Sequence, residues 1–236
     1  MSLKIRDLDQ QTQWLSTAQR LALKEVIAAS FAGVSPDEYM QYYFDDPKAC
    51  QRKLRLYFDH STLVGYCLLT FTQHNKSTVI RASAAFYPQY RNGGNTFSFS
   101  LYHSIRYWLT RPWCAVYYAD TMLSPAMYRA IAKHVAIIWP HPDCSSPNAL
   151  FEHFNAEGMV SPGGSLRCLK PVNRASNYSI SELAAFHASD KKEIAFYCKM
   201  NPDFHAGMGL FVIIPIHTKQ VIYTLGKRLL SVFKAR

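Results

Sequence analysis

A basic residue and two adjacent glycines stand between a predicted strand and a predicted helix. In residues 84–105, AAFYPQYRNGGNTFSFSLYHSI, an apolar run ends at Pro88, and Arg91, Gly93 and Gly94 precede a helical pattern. A helix N-terminus offers unpaired N–H groups and a partial positive charge, and glycine lets a phosphate approach the backbone because it has no Cβ. An arginine adds bidentate donors. The segment therefore predicts a phosphate-binding loop, and an ordinary tight turn is the alternative interpretation.

The spacing excludes two familiar phosphate-binding motifs. A Walker loop would follow its last glycine with Lys and then Ser or Thr, and no such pair follows here. The dinucleotide fingerprint would open the helix with G-x-G-x-x-G, which this segment does not contain.

The composition is that of a folded, basic chain. Of the 236 residues, 49% are hydrophobic and 18% are charged, which argues against disorder. The formal net charge of 26 − 16 = +10 favours anionic partners such as phosphorylated cofactors, nucleic acid or acidic membranes. Because the basic residues are scattered and form no recognisable nucleic-acid module, we do not expect nucleic acid to be the partner.

The cysteines and histidines show no metal-binding spacing. No C-x-x-C pair occurs, and HPDC at residues 141–144 offers potential zinc ligands without spaced partners, so we predict no metal. The N-terminus lacks an apolar signal region, and no apolar run reaches the roughly 20 residues that span a membrane. We therefore expect a soluble, cytoplasmic protein with reduced thiols.

The elements that would position the loop follow a mixed α/β pattern. Helical periodicity covers residues 11–31, and Ser35 followed by Pro36 predicts a second helix start. KLRLYFD and STLVGYCLLTF, linked by His60–Ser61, predict an antiparallel hairpin. Further along, the predicted elements are a strand (TVIRASAAFY), a helix (about 95–110), a strand (CAVYYAD), a helix capped by Ser124, a short helix (PNALFEHFNAEGM), a helical stretch (180–200), a strand (GLFVIIPI) and an amphipathic C-terminal helix.

The loop and its flanking elements resemble motif A of the GCN5-related N-acetyltransferases, the GNAT superfamily. Members carry a strand that ends near a proline, then Arg/Gln-x-x-Gly-x-Gly/Ala, then a helix. Arg91, Gly94 and Thr96 occupy those positions, although Thr96 replaces the usual small residue. STLVGYCLL is similar to the family's third strand, and the order of elements agrees over about residues 1–137.

The resemblance implies the acyl-CoA N-acyltransferase fold. That fold is a mixed, mostly antiparallel sheet flanked by helices, with a splayed parallel pair that would be the strands near Ala84 and Val116. We predict one domain over residues 1–236, with a core of about 1–137 and a C-terminal extension of about 138–236.

The resemblance also implies acetyl-CoA or another acyl-CoA as co-substrate. The loop would bind the pyrophosphate, and the edge of the preceding strand would pair with the pantetheine arm. The residues given these roles are Phe86, Tyr87, Arg91, Asn92, Gly93, Gly94, Asn95 and Thr96.

Two residues are candidates for the chemistry of acyl transfer to an amine, which requires a base and an acid. Many family members use a tyrosine on the helix after the fifth strand as the acid, and Tyr128 lies at that spacing. Asp120, at the predicted end of the strand CAVYYAD, is a candidate base. The alternatives are a packed aromatic at Tyr128 and a polar strand terminus at Asp120. His103 is expected to be solvated, because it lies off the helical stripe formed by Phe97, Leu101, Ile105, Trp108 and Leu109.

The last helix combines an apolar stripe with basic residues. The stripe contains Ile222, Leu225, Leu229, Val232 and Phe233, and the basic residues are Lys219, Lys227, Arg228, Lys234 and Arg236. This pattern is typical of a helix at a membrane surface or on a partner, and also of a helix docked on its own domain.

Two functions are consistent with the sequence. One is an acyl-CoA-dependent acyltransferase that modifies an amine. The other is a catalytically silent GNAT-like scaffold that binds an anionic ligand, a protein partner or a membrane surface.

Overall fold

The computed structural model describes residues 3–74, 76–91, 94–172, 174–176 and 178–234, and it describes the side chains of the C-terminal helix only as far as Lys227. The chain divides into two compact units, Met1–Cys114 and Ala115–Arg236. Each unit combines strands with helices, which confirms the predicted α/β class. The division falls at a different place from the boundary predicted near residue 137, and a single domain stays a prediction.

The first unit contains five strands and three α-helices within the described residues. A helical turn of π geometry at Met40–Phe44 extends the second helix, and a 3₁₀ turn at Pro88–Tyr90 follows the last strand. In chain order the elements are β1 (Lys4–Asp9), α1 (Thr17–Ser30), β2 (Phe31–Ala32), α2 (Pro36–Tyr39), β3 (Ala49–Asp59), β4 (Thr62–His74), β5 (Ser77–Phe86) and α3 (Thr96–Leu109).

Four strands of this unit form an antiparallel sheet in the order β1-β3-β4-β5. The predicted hairpin is confirmed, and His60 in its turn has a left-handed φ of 54°. The sequence analysis missed β1, an edge strand whose Asp7 and Asp9 form ion pairs with Arg55 and Lys53 of β3. The predicted parallel pair involves one strand from each unit and stays a prediction.

The two faces of this sheet carry different side chains. Leu54 and Leu56 of β3 point to a buried cluster that includes Leu23 and Ile27 of α1, as strand alternation requires. The intervening residues, such as Arg55, lie on the α3 side, where the Arg55 guanidinium stands 4.6 Å from the centre of the Phe99 ring. The sheet therefore holds α1 by apolar packing and α3 by aromatic and charged contacts.

Helix α3 buries other residues than its apolar stripe suggests. Phe99, Ser104 and Tyr107 are its buried positions, whereas Leu109 is 62% exposed. The Tyr107 ring stacks on Phe71 with 4.7 Å between centroids. Large aromatic rings determine which side of this helix meets the sheet.

The second unit contains four strands and five α-helices within its described part. In chain order they are β6 (Ala115–Met122), α4 (Pro125–Ala132), α5 (Asn148–Phe154), β7 (Leu169–Pro171), β8 (Ala175–Ser176), α6 (Ile180–His187), α7 (Lys192–Met200), β9 (Met208–Ile216) and α8 (Thr218–Lys234). The strands β6, β9 and β7 form an antiparallel sheet in that order. The helical stretch predicted at 180–200 is two helices, and the short strands β7 and β8 were not predicted.

Candidate functional site

The predicted phosphate loop lies between the end of β5 and the start of α3. β5 ends at Phe86, just before the predicted loop. α3 begins at Thr96, one residue after the predicted helix start. Arg91 is partly buried, and its N–H donates to the Pro88 carbonyl at 3.4 Å. Asn92 and Gly93, which were assigned to the same loop, lie outside the described residues.

Gly94 has a packing reason for lacking a side chain. A Cβ at this position would stand 2.1 Å from Cζ of Phe86, and a Cβ on Gly65 would stand 2.1 Å from Cδ1 of the same ring. The Phe86 ring is buried between these two glycines and lies 4.9 Å from the Tyr57 ring, centre to centre. Gly94 is thus required by the fold whether or not a phosphate approaches the loop.

Two backbone groups at the end of β5 are already bonded. The Tyr87 N–H donates to the Val64 carbonyl at 3.1 Å, and the Phe86 carbonyl accepts from the Ser30 hydroxyl at 3.0 Å. The N–H of Tyr87 therefore belongs to the sheet and the carbonyl of Phe86 is bonded to α1. The roles of Phe86 and Tyr87 in binding pantetheine stay predictions.

The first turn of α3 is capped by the chain itself. Asn95 is the N-cap, and its Oδ1 accepts from the Ser98 N–H at 3.0 Å. A side-chain cap satisfies one of the donors that a helix N-terminus leaves unpaired. Any phosphate at this terminus would use the N–H groups that precede Ser98. The roles of Asn95 and Thr96 in binding stay predictions.

Tyr128 is buried in the second unit. Its ring has no exposed surface, and its hydroxyl donates to the Pro140 carbonyl at 2.8 Å. Burial, followed by the charge of Glu193, raises the pKa of this phenol well above its ordinary value. These contacts favour the packed-aromatic interpretation, and the role of proton donor stays a prediction for experiment.

Asp120 lies within β6 and does not end it. The strand continues to Met122, so the predicted position at the strand terminus is wrong by two residues. The Asp120 side chain is partly buried, and its Oδ1 accepts from the Thr121 N–H at 2.7 Å. Its proposed role as a base is not tested by these contacts.

A cavity in the first unit was not anticipated. Its volume is about 610 Å³, and its walls include Lys53, His103, Arg106, Tyr107 and Arg111. His103, expected to be solvated, is partly buried there, and its ring centre lies 4.6 Å from that of Phe99. Burial, followed by the charge of Lys53, lowers the pKa of His103 to about 4. The spacing of Phe99, His103 and Tyr107 at i, i+4 and i+8 is the sequence signal for this face.

The described parts of the chain show neither a cluster of metal ligands nor a membrane-spanning helix. No group of three or more His, Cys, Asp or Glu residues there is placed to hold a metal ion. None of the helices in those parts is both long and apolar enough to cross a bilayer.

Comparison with known proteins gives similarity in structure only. No protein-family model matches the chain, and no curated protein matches its sequence. Among solved structures, the chain is similar to a chain of the NatC complex bound to Gag peptide and CoA, with 12% identity, 92% of this chain and 99% of that chain covered, and a TM-score of 0.40.

Two bacterial proteins have similarly low sequence identity and TM-scores. One is the ribosomal-protein-S18-alanine N-acetyltransferase from Escherichia coli, with 8% identity, coverage of 90% and 96%, and a TM-score of 0.37. The other is ribosomal-protein-alanine N-acetyltransferase from Brucella melitensis biovar Abortus 2308, with 11% identity, coverage of 61% and 97%, and a TM-score of 0.41. Both are N-acetyltransferases by name.

Proposed function

We propose that the protein is an acyl-CoA-dependent acyltransferase that transfers an acetyl or other acyl group to an amine. The observation that carries the proposal is the loop between β5 and α3. A strand ends at Phe86, and Arg91 and Gly94 then precede a 14-residue helix whose N-terminus is suited to an anion. The motif spacing of Arg91, Gly94 and Thr96 and the net charge of +10 agree with a phosphorylated co-substrate.

In this proposal the loop residues bind the pyrophosphate of coenzyme A. Arg91 supplies a positive charge with directional donors, and the backbone from Gly94 to Thr96 supplies N–H groups. Asp120 is retained as a candidate base for the amine, and no metal is required. The identity of the amine is left open.

A catalytically silent scaffold is the second candidate, and specific contacts favour it. The Tyr128 hydroxyl is bonded to Pro140, and the lack of a side chain at Gly94 is explained by the Phe86 ring. A chain that kept the fold and lost the chemistry would retain both contacts. Such a scaffold would bind an anionic ligand, a protein partner or a membrane surface.

A thermal-shift titration tests the first half of the proposal. We expect coenzyme A and acetyl-CoA to raise the melting temperature, and pantetheine, which lacks the pyrophosphate, to have a much smaller effect. Arg91→Ala should weaken coenzyme A binding by about 1–3 kcal/mol, or roughly 5- to 150-fold. Arg6→Ala is the matched control, because Arg6 is an exposed arginine on β1 of the same unit. Equal coenzyme A affinity in both variants would place the binding site elsewhere.

A turnover assay then separates the two candidates. Acetyl-CoA and longer acyl-CoAs are presented with a panel of amines, including peptide N-termini, lysine side chains and small polyamines, and release of free thiol is measured. Thiol release that depends on both substrates supports the acyltransferase. Tight coenzyme A binding with no release over the whole panel would favour the scaffold.

A further inference from the structure

The C-terminal helix α8 is docked on the second unit by polar side chains. The Gln220 amide donates to the Ile137 carbonyl and accepts from the Ile137 N–H, both at 2.9 Å. Thr224 Oγ1 accepts from the Ala136 N–H at 3.1 Å. Gln220 and Thr224 are 5% and 4% exposed, so the docked face is buried although it is polar.

Lys227 completes this face. Its Nζ donates to the carbonyls of Val135 at 2.9 Å and Ala132 at 3.2 Å, near the end of α4. Residues 220, 224 and 227 follow the i, i+4, i+7 spacing of one helix side. Three polar residues in a row on one side therefore hold α8 in place.

The opposite side of α8 carries exposed apolar residues. Ile222 is 59% exposed, Leu225 is 55% exposed, and Tyr223 beside them is 52% exposed. An ordinary surface helix buries its apolar stripe and exposes its polar side. This helix does the reverse, and in the sequence the stripe continues with Leu229, Val232 and Phe233.

The charge around the stripe indicates what covers it. After Asp203 the chain has five basic residues and no acidic residue: Lys219, Lys227, Arg228, Lys234 and Arg236. Lys219 lies beside the stripe, with its Nζ 5.6 Å from the centre of the Tyr223 ring. An apolar stripe with Lys219 and an aromatic residue at its margin, in a segment that has basic but no acidic residues, suits the interface of an anionic bilayer. A second copy of this chain would bring like charges together and is disfavoured.

We propose that α8 is a membrane-surface helix whose outward stripe, beginning at Ile222 and Leu225, inserts into an anionic lipid bilayer while Gln220, Thr224 and Lys227 hold it on the second unit. The helix then lies in the plane of the bilayer surface. The proposal does not depend on whether the chain transfers acyl groups.

Vesicle flotation of the full chain tests this proposal. The probes are phosphatidylcholine vesicles with and without phosphatidylserine. We expect binding to the anionic vesicles, weak binding to the neutral ones, and a loss of more than about tenfold in partitioning for the double variant Ile222→Ser, Leu225→Ser. The matched control is Leu21→Ser, Leu109→Ser, which removes two equally exposed leucines from the first unit. The melting temperatures of both variants should equal that of the parent, because the four positions are exposed.

Three results would overturn the proposal. The first is equal flotation of parent and Ile222→Ser, Leu225→Ser, which would mean that charge alone attracts the protein. The second is equal flotation with neutral and anionic vesicles. The third is a dimer in gel filtration that the same double variant converts to a monomer, since that would assign the stripe to a second copy. If the double variant is unstable, the single Leu225→Ser should still weaken flotation.

Discussion

Gly94 in the first unit and Tyr128 in the second are held by different kinds of contact. Gly94 contributes the absence of a side chain, which leaves room for the Phe86 ring. Tyr128 contributes a hydroxyl that donates a hydrogen bond to the Pro140 carbonyl. A missing Cβ leaves the backbone of the loop able to bind a ligand, whereas a hydroxyl bonded inside the protein must break that hydrogen bond before it can protonate a ligand. Packing at Gly94 is therefore compatible with ligand binding by the loop, whereas packing at Tyr128 disfavours a role as proton donor.

The largest effects are expected at the contact between Gly94 and Phe86. Gly94→Ala should lower the free energy of unfolding by about 1–3 kcal/mol, because the added methyl group overlaps Phe86. Phe86→Ala alone should cost about 3–5 kcal/mol, as expected for a buried aromatic ring. In the Phe86→Ala background the cost of Gly94→Ala should nearly vanish. Urea denaturation of the four proteins measures this coupling.

If the unfolding free-energy losses of Gly94→Ala and Phe86→Ala simply add in the double variant, the cost of the new methyl group does not come from overlap with the Phe86 ring. The same double variant sharpens the comparison further. If it still binds coenzyme A, the loop backbone binds the ligand independently of the packing; if the stably folded double variant loses binding, the ring holds the loop in its binding conformation.

A smaller effect is expected from Tyr128→Phe. Loss of the hydroxyl leaves the Pro140 carbonyl without its donor, and the free energy of unfolding should fall by about 1 kcal/mol. Turnover should stay within a few-fold of the parent. Tyr197→Phe is a matched control, because the Tyr197 hydroxyl also donates to a backbone carbonyl, that of Met122, at 2.8 Å. A fall in turnover of about 10²-fold in Tyr128→Phe alone would instead establish it as the proton donor.

The effect of His103 is the smallest at neutral pH, because it appears only in acid. The pKa of His103 is lowered to about 4 in the folded protein, chiefly by burial and then by Lys53, while Asp7 opposes the shift and Arg55 and Arg106 add to it. The unfolded chain, with an ordinary pKa of about 6.5, binds more protons between these values, so folding stability falls as the pH drops from about 6.5 to about 4.

His103→Gln should therefore make the melting temperature less sensitive to acid over this interval, with little change in its pH dependence above pH 7. Melting curves of parent and variant at a series of pH values measure the difference, and the acidic groups common to both proteins cancel. Parallel curves from pH 7 to 4 would mean that His103 is solvated after all.

Local signals were sufficient to predict most helix starts and the hairpin. Ser35 and Ser124 accept from N–H groups three residues ahead, at Glu38 and Met127, because capping depends on neighbours in the sequence. The hairpin followed from two alternating segments joined by a short link. The candidate loop was placed correctly for the same reason, since its strand end and helix start are local features.

Features that depend on distant residues could not be predicted in this way. The strand β1 is short and highly charged, and its ion pairs join it to residues more than 40 positions away. The buried side of α3 depends on Phe71, and the docked side of α8 depends on the backbone of Ile137. In α3, hydrophobicity alone indicated the wrong side, because the partner surface offered aromatic rings. In α8 it left the docked side open, because the partner surface offered backbone polar groups.

The hydroxyl of Ser30 has a consequence for the end of β5. It stands 2.7 Å from the Val26 carbonyl and 3.0 Å from the Phe86 carbonyl, yet it has only one proton to donate. The two carbonyls therefore share that proton, and neither depends on it completely. Were a ligand N–H to bond the Phe86 carbonyl, the hydroxyl could turn fully toward Val26, and neither carbonyl would lose its hydrogen bond.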